Sequence, residues 1–93
     1  MPVSKNQIKL VNALAFKKYR DETGLFLAEG SKLVRDMARV FACETIFVTR
    51  DWLINNQLPV CKAYFETTVE ELKKMSHLKT PQGIIGIFRK PEN

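Results

Sequence analysis

The order of hydrophobic periods along the chain predicts an α/β fold: a small four-stranded sheet, mostly parallel or mixed, with helices on both faces. Two observations carry this. Segments of helical period alternate regularly with segments of strand period, the pattern of layered α/β proteins. The last strand, Ile84-Ile85-Gly86-Ile87-Phe88, is apolar without alternation, as a strand covered on both faces has to be. At 93 residues the chain makes one domain, with enough interior for a core that needs neither metal nor disulfide.

Each element has its own signal. Ser4 and Gln7 have the spacing of a capping box. Ile8, Val11, Leu14 and Ala15 then recur at helical spacing, taking a first helix to about Lys18, with Lys5, Lys9 and Asn12 on another face. "YRDETG" closes this helix, with Gly24 as the turn residue, and "LFLAEG" is a short strand. Ser31 can cap the next helix, whose buried stripe is Leu33 or Val34, Met37, Ala38 and Phe41; Lys32, Arg35 and Arg39 lie largely outside it. "TIFVT", residues 45–49, is β-branched and aromatic, as strands are. Asp51, or Thr49 before it, caps a short helix over "WLINNQ", ended by Leu58-Pro59. Cys61, Ala63 and Phe65 alternate with Lys62, Tyr64 and Glu66 in a half-buried strand. Thr68 and Glu71 form another capping box, opening a helix with Val69, Leu72 and Met75 inward.

Composition narrows the function classes. An apolar fraction of 45% with 27% charged residues is that of an ordinary globular protein. No apolar stretch approaches the roughly 20 residues of a membrane span. "MPVSKNQIKL" lacks the apolar segment and cleavage site of a signal peptide, so the expected location is cytoplasmic. Cys43 and Cys61 lie beside apolar neighbours and read as inert buried thiols, with no zinc-ligand spacing. His77 could pair with a cysteine, but nothing supplies the third group a nucleophilic dyad needs. The net charge of +5 is uneven: Lys5, Lys9, Lys17, Lys18 and Arg20 fall in residues 1–20, which hold no acid. A localised basic surface favours nucleic acid, the bland alternative being a solvated helix face.

Three stretches could carry function. In "FKKYRDETG", Lys17 and Lys18 offer mobile charge to phosphates and Arg20 a bidentate grip. Tyr19 is expected to bury its ring against the core, the alternative being to stack on a base. In "AEGSK", residues 28–32, a strand runs through Gly30 into a helix start with free N–H groups, and Lys32 adds charge. Glu29 would repel a phosphate, and so would accept from a ribose hydroxyl or pair with a lysine or arginine; the competing reading is a strand-to-helix turn with a surface ion pair. One glycine is too few for a dinucleotide fingerprint. In "HLKTPQG", Pro81 and Gly83 shape a turn, and Lys79, Thr80 and Gln82 can contact phosphate, sugar or base edges. An ordinary connection, with polar side chains capping their own backbone, is the competing reading of that turn.

Together, "SKNQIKLVNAL", "KKYRDETGLFLAEGSKLV" and "TVEELKKMSHLKTPQGIIGIF" resemble the N-terminal substrate-binding domain of TrmH/SpoU-type RNA methyltransferases. The resemblance runs nearly end to end, and residues 42–66 contribute pattern rather than motif. It implies an α/β/α sandwich similar to the kink-turn-binding ribosomal-protein fold. It also implies binding of rRNA or tRNA and its presentation to a following SPOUT domain. That domain is expected to bind S-adenosylmethionine, to form a homodimer and to methylate a ribose 2′-hydroxyl. Asn6, Lys18, Arg20, Glu29, Gly30, Lys79, Thr80, Pro81, Gln82 and Gly83 match the family pattern. The expected RNA-facing set is Asn6, Lys9, Lys17, Lys18, Arg20, Glu29, Lys32, Lys79, Thr80 and Gln82, with Glu29 and Gly30 open to an architectural role instead. Residues 1–90 are expected to be the RNA substrate-binding domain, and residues 91–93 the start of a linker to an absent catalytic domain. No catalytic, cofactor-binding or metal-binding residue is assigned, and the chain alone is not expected to transfer methyl groups. Open alternatives are a stand-alone ribosomal-type RNA-binding protein and a protein-interaction domain.

Overall fold

The computed structural model describes residues 3–91. Its elements are α1 (Lys5–Ala13), α2 (Lys17–Thr23), β1 (Leu25–Glu29), α3 (Ser31–Val40), β2 (Ala42–Thr49), α4 (Arg50–Asn55), β3 (Ala63–Thr67), α5 (Val69–Met75) and β4 (Ile84–Arg89). Both capping boxes form: Gln7 N–H donates to Ser4 Oγ at 3.1 Å and Glu71 N–H to Thr68 Oγ1 at 3.0 Å, each answered by the reciprocal bond. Thr49, not Asp51, caps α4, accepting from Trp52 N–H at 3.3 Å. Of the linker expected at 91–93, only Pro91 lies among the described residues.

The four strands stand in the order β1-β4-β2-β3. β2 and β3 are parallel, whereas β4 runs antiparallel to both β1 and β2. The sheet is therefore mixed, which corrects the leaning toward parallel strands in the sequence reading. Helix–strand alternation does not distinguish a crossover that returns a strand parallel from a helix that crosses the sheet end and lets the next strand descend. The apolar run 84–88 does occupy the sheet interior, with a strand on each side and every residue buried.

Strand alternation then divides the core. Ile85, Ile87 and Phe47 face Val11 of α1, Leu14 just after it, and Leu72 and Met75 of α5. Ile84, Phe88, Ile46 and Val48 face Val34 and Trp52 of α3 and α4. The result is three layers, α/β/α. Cys43 joins Ile46 and Val48 on one face because a bulge between Cys43 and Thr45 shifts the register by one residue. Within the second layer Phe26 stacks on Phe88 at 5.7 Å and meets Phe41 edge-on at 5.1 Å.

Four local expectations change. The first helix is two helices: the chain turns at residues 14–16, and "YRDET" forms α2 rather than closing α1. Arg20 Nη1 donates to the Leu14 and Ala15 carbonyls at 3.0 and 2.8 Å, satisfying acceptors at the end of α1. Gly24, at φ +71°, caps α2. At α3 the N-cap is Gly30, and Ser31 Oγ instead accepts from Trp52 Nε1 at 2.6 Å. Val34 is buried while Leu33 is exposed, and Val69 also faces out, because α5 contacts the core through Leu72 and Met75 alone. Tyr19 keeps 42% of its surface exposed, contrary to the expected burial, since α2 has no buried residue at all. No helix among the described residues is long and apolar enough to cross a membrane.

Candidate nucleic-acid interface

The register places two of the three marked stretches at one end of the sheet. Glu29 pairs with Ile85 at the end of β1, and Val48 pairs with Ile84 near the end of β2. The residues just before β4 are thus held between the two strand ends. Gly30 N–H donates to the Ile84 carbonyl at 3.1 Å, and Thr49 N–H to the Gly83 carbonyl at 3.0 Å. This end also carries the starts of α3, α4 and α5 and the loop 76–83.

Glu29 builds the loop. Its Oε1 accepts from Ser76 Oγ at 2.6 Å and its Oε2 from the His77 N–H at 2.7 Å, while Leu78 N–H donates to Ser76 Oγ. Both carboxylate oxygens are therefore engaged by the protein, which gives Glu29 the architectural role left open above. Charge-assisted bonds of this kind are the stronger class. Two glycines are required here. Gly30 sits at φ +92°, and a Cβ there would lie 2.5 Å from Gln82 Oε1; Gly83 sits at φ +83°, with Thr49 Oγ1 3.3 Å from the same point. Gly30 thus lets the Gln82 side chain lie directly on the strand-to-helix turn.

The outcome is a cleft of about 220 Å3 lined by Glu29, Gly30, Lys32, Leu33, Asp36 and Gln82. Lys79, Thr80 and Gln82 are exposed, and among the described residues their side chains make no hydrogen bond. The loop's bonds come from Glu29 and Ser76 instead, so the polar side chains do not cap their own backbone. Lys32 is exposed and shares its charge with Asp36 at 3.0 Å, a weak surface pair. Arg50, absent from the expected set, opens α4 at this same end and is exposed.

The third stretch is elsewhere. Asp21 accepts from Lys17 at 2.6 Å and lies 3.6 Å from Lys90, beyond the far end of β4. Gln82 precedes the start of β4, so about 20 Å of strand separates the two groups. The Lys17 hydrogen bond, with the charges of Lys17 and Lys90, holds the Asp21 carboxyl below its ordinary value. Beside it, Glu44 accepts from Arg89 Nε at 2.7 Å and Lys62 Nζ at 3.2 Å, and the Arg89 bond lowers its pKa. Arg20 is committed to the α1 carbonyls. Lys18 forms no ion pair among the described residues and rests 5.8 Å from the Tyr19 ring centre. Asn6 and Lys9 are exposed on α1, which packs on α5. The expected residues are therefore not one surface.

The thiols do not form a nucleophilic site. Burial pushes Cys43 up to about 12 and raises Cys61 as well. His77 belongs to the loop end of the sheet and Cys43 to the start of β2, at the other end.

Comparison with known proteins matches this geometry to a family. The profile of the MRM3-like substrate binding domain covers residues 5–86. The chain belongs to this family. The MRM3-like domain is 35% identical over 99 aligned positions to mitochondrial rRNA methyltransferase 3 of Xenopus laevis, covering 100% of this chain and 23% of that protein. To the Homo sapiens protein of the same name it is 33% identical, over 83% of this chain and 19% of that one. It therefore spans about a quarter or less of the length of these relatives. Among solved structures, a Porphyromonas gingivalis protein assigned to the TrmH family of RNA methyltransferases superposes with a TM-score of 0.83 at 29% identity, over 98% of this chain and 37% of that one. The rRNA methyltransferase of Sinorhizobium meliloti, solved with AdoMet bound, gives 0.72 at 26% identity, over 100% and 38%. The recognised resemblance and the α/β fold class are thereby established.

Proposed function

We propose that this domain binds structured RNA, rRNA in the first place, and presents it to the catalytic domain of an RNA 2′-O-ribose methyltransferase. The observation that carries the reading is the convergence of the Glu29-Gly30 turn with the Lys79–Gln82 loop. There the backbone is held by Glu29 while the side-chain donors are uncommitted. Such an arrangement suits phosphate and sugar contacts from Lys79, Thr80 and Gln82, supported by Lys32 and Arg50. Asn6, Lys9, Lys17 and Lys18 contribute longer-range attraction to the backbone. Arg20 and Glu29 act as positioning residues rather than contacts.

The whole protein's methyl transfer belongs to this reading too. S-adenosylmethionine and the homodimer contacts would belong to a following catalytic domain. The relatives named above carry "mitochondrial" in their names, and the cytoplasmic location read from the N-terminus is a proposal that cell fractionation tests.

The function is tested by titrating the domain with structured rRNA fragments at several salt concentrations. Affinity should fall with salt by about 0.7–0.9 in logarithmic slope for each phosphate neutralised. Lys79→Glu should weaken binding across sequences and reduce that slope by about one, with the fold intact. Binding indifferent to salt, or no binding at low salt, would sink the proposal.

A further inference from the structure

The corner between α1 and α2 exposes aromatic surface that neither the core nor the loop cleft uses. Phe16 is 62% exposed and Tyr19 42%, and their rings meet edge-to-face at 6.5 Å and 73°. Phe16 occupies the N-cap of α2 and makes no capping bond, where Ser, Thr, Asp or Asn would be the stabilising choice. A local rule is broken there with no packing gain in return. The corner is nonetheless held in place. Arg20 donates to the Leu14 and Ala15 carbonyls immediately before Phe16, and the Tyr19 and Arg20 N–H groups both donate to the Phe16 carbonyl.

The charge around the rings is positive and partly unanswered. Asp21 is engaged by Lys17 and Lys90, while Lys18 sits 5.8 Å from the Tyr19 ring centre without an ion pair among the described residues. A pair of partly exposed aromatic rings, with a lysine that has no ion pair lying over one of them, matches the chemistry of an unpaired nucleotide. The base stacks on a ring and its phosphate meets the ammonium. An acidic protein surface would answer the lysine but leave the ring faces unused.

We propose that Phe16 and Tyr19 form a stacking platform for an unpaired RNA base, with Lys18 holding the adjacent phosphate. This makes a second contact, remote from the Glu29–Gln82 cleft, and suits RNA that carries a single-stranded loop beside its structured part. The inference rests on the reading that the domain binds RNA.

The test compares the full chain with Phe16→Ala/Tyr19→Ala on a uridine-rich single strand and on a blunt-ended, fully paired RNA duplex of equal phosphate number. The double variant should lose at least about fivefold in affinity for the single strand and little for the duplex. Its salt slope should not change, because no charge is removed. Phe16→Tyr/Tyr19→Phe, which keeps both rings, should bind as the parent does. Independently of any variant's folding, a 5-iodouridine single strand should photocrosslink to the parent chain at Phe16 or Tyr19. If the parent binds RNA but the alanine variant matches it on both ligands, or weakens both equally, the platform is refuted and the RNA-binding reading stands. Absence of a crosslink in residues 16–19, or loss of a protein association with RNA affinity unchanged, overturns the platform as well. If the parent binds neither RNA, both readings fall.

Discussion

The two ends of the sheet handle charge in opposite ways. At the end where β4 finishes, cations and carboxylates answer one another, Lys17 and Lys90 at Asp21, Lys62 and Arg89 at Glu44. At the end where β4 begins, Glu29 is occupied by a hydroxyl and a backbone N–H. Its neighbours Lys79, Thr80, Gln82 and Arg50 are exposed. The number of basic residues is thus a poor guide to a binding surface. What separates the ends is that Lys79 and Arg50 form no ion pair among the described residues at the loop end, although Lys32 answers Asp36 there.

The comparison is broken most severely by distorting the loop end. Gly30→Val forces a β-branched residue to φ +92° and drives its side chain into Gln82. A loss of about 3 kcal/mol is expected in chemical denaturation, together with weaker RNA binding. Glu29→Ala removes both bonds that hold Ser76 and His77. It should cost about 2 kcal/mol and raise hydrogen exchange in residues 76–83, with RNA affinity falling although no RNA contact is deleted. Lys79→Glu should do the reverse, lowering RNA affinity about tenfold or more with an unchanged melting temperature.

At the other end the effects are smaller. Asp21 and Glu44 have depressed folded-state values, so their contribution is present above the ordinary carboxylate range and is lost as pH falls through the folded values. A modest, salt-screened decline in stability should appear in urea titrations as pH falls through and below the ordinary carboxylate range, and Glu44→Gln should flatten it. Smallest of all, Asp21→Asn should leave stability almost unchanged, since the pair with Lys17 lies on the surface and is screened by solvent. It should also strengthen RNA binding slightly, by freeing Lys17. An effect on stability as large as that of Glu29→Ala would erase the distinction between the two ends.

Much of the local structure was legible. The Ser4/Gln7 and Thr68/Glu71 boxes, the strand at 45–49 and the burial of 84–88 follow from spacing and residue type, because capping and period are short-range effects. The break after Ala13 was not, since Leu14 and Ala15 continue the helical period. It is Arg20, six and five positions on, that takes their carbonyls. Of the candidate site, Lys79, Thr80 and Gln82, marked in the sequence for RNA contact, are exposed in the structure. Lys17 was grouped with them for its charge and Arg20 for its charge and its match to the family pattern, and the fold carries both to the other end of the sheet. Arg50 was missed, because a charge after a strand carries no local sign of which sheet end it will occupy.

By itself, then, the sequence determined the strands, the capping boxes at Ser4 and Thr68 and the two-faced central strand, all readable within a few residues of chain, and, over its whole length, the family pattern. Tertiary structure decided the direction of β4, the pairing of Glu29 with residues 47 and 48 positions away, and the separation of the basic residues onto opposite ends. Those depend on which strands neighbour each other. In a sheet, strand order and direction, not sequence distance, decide which loops meet.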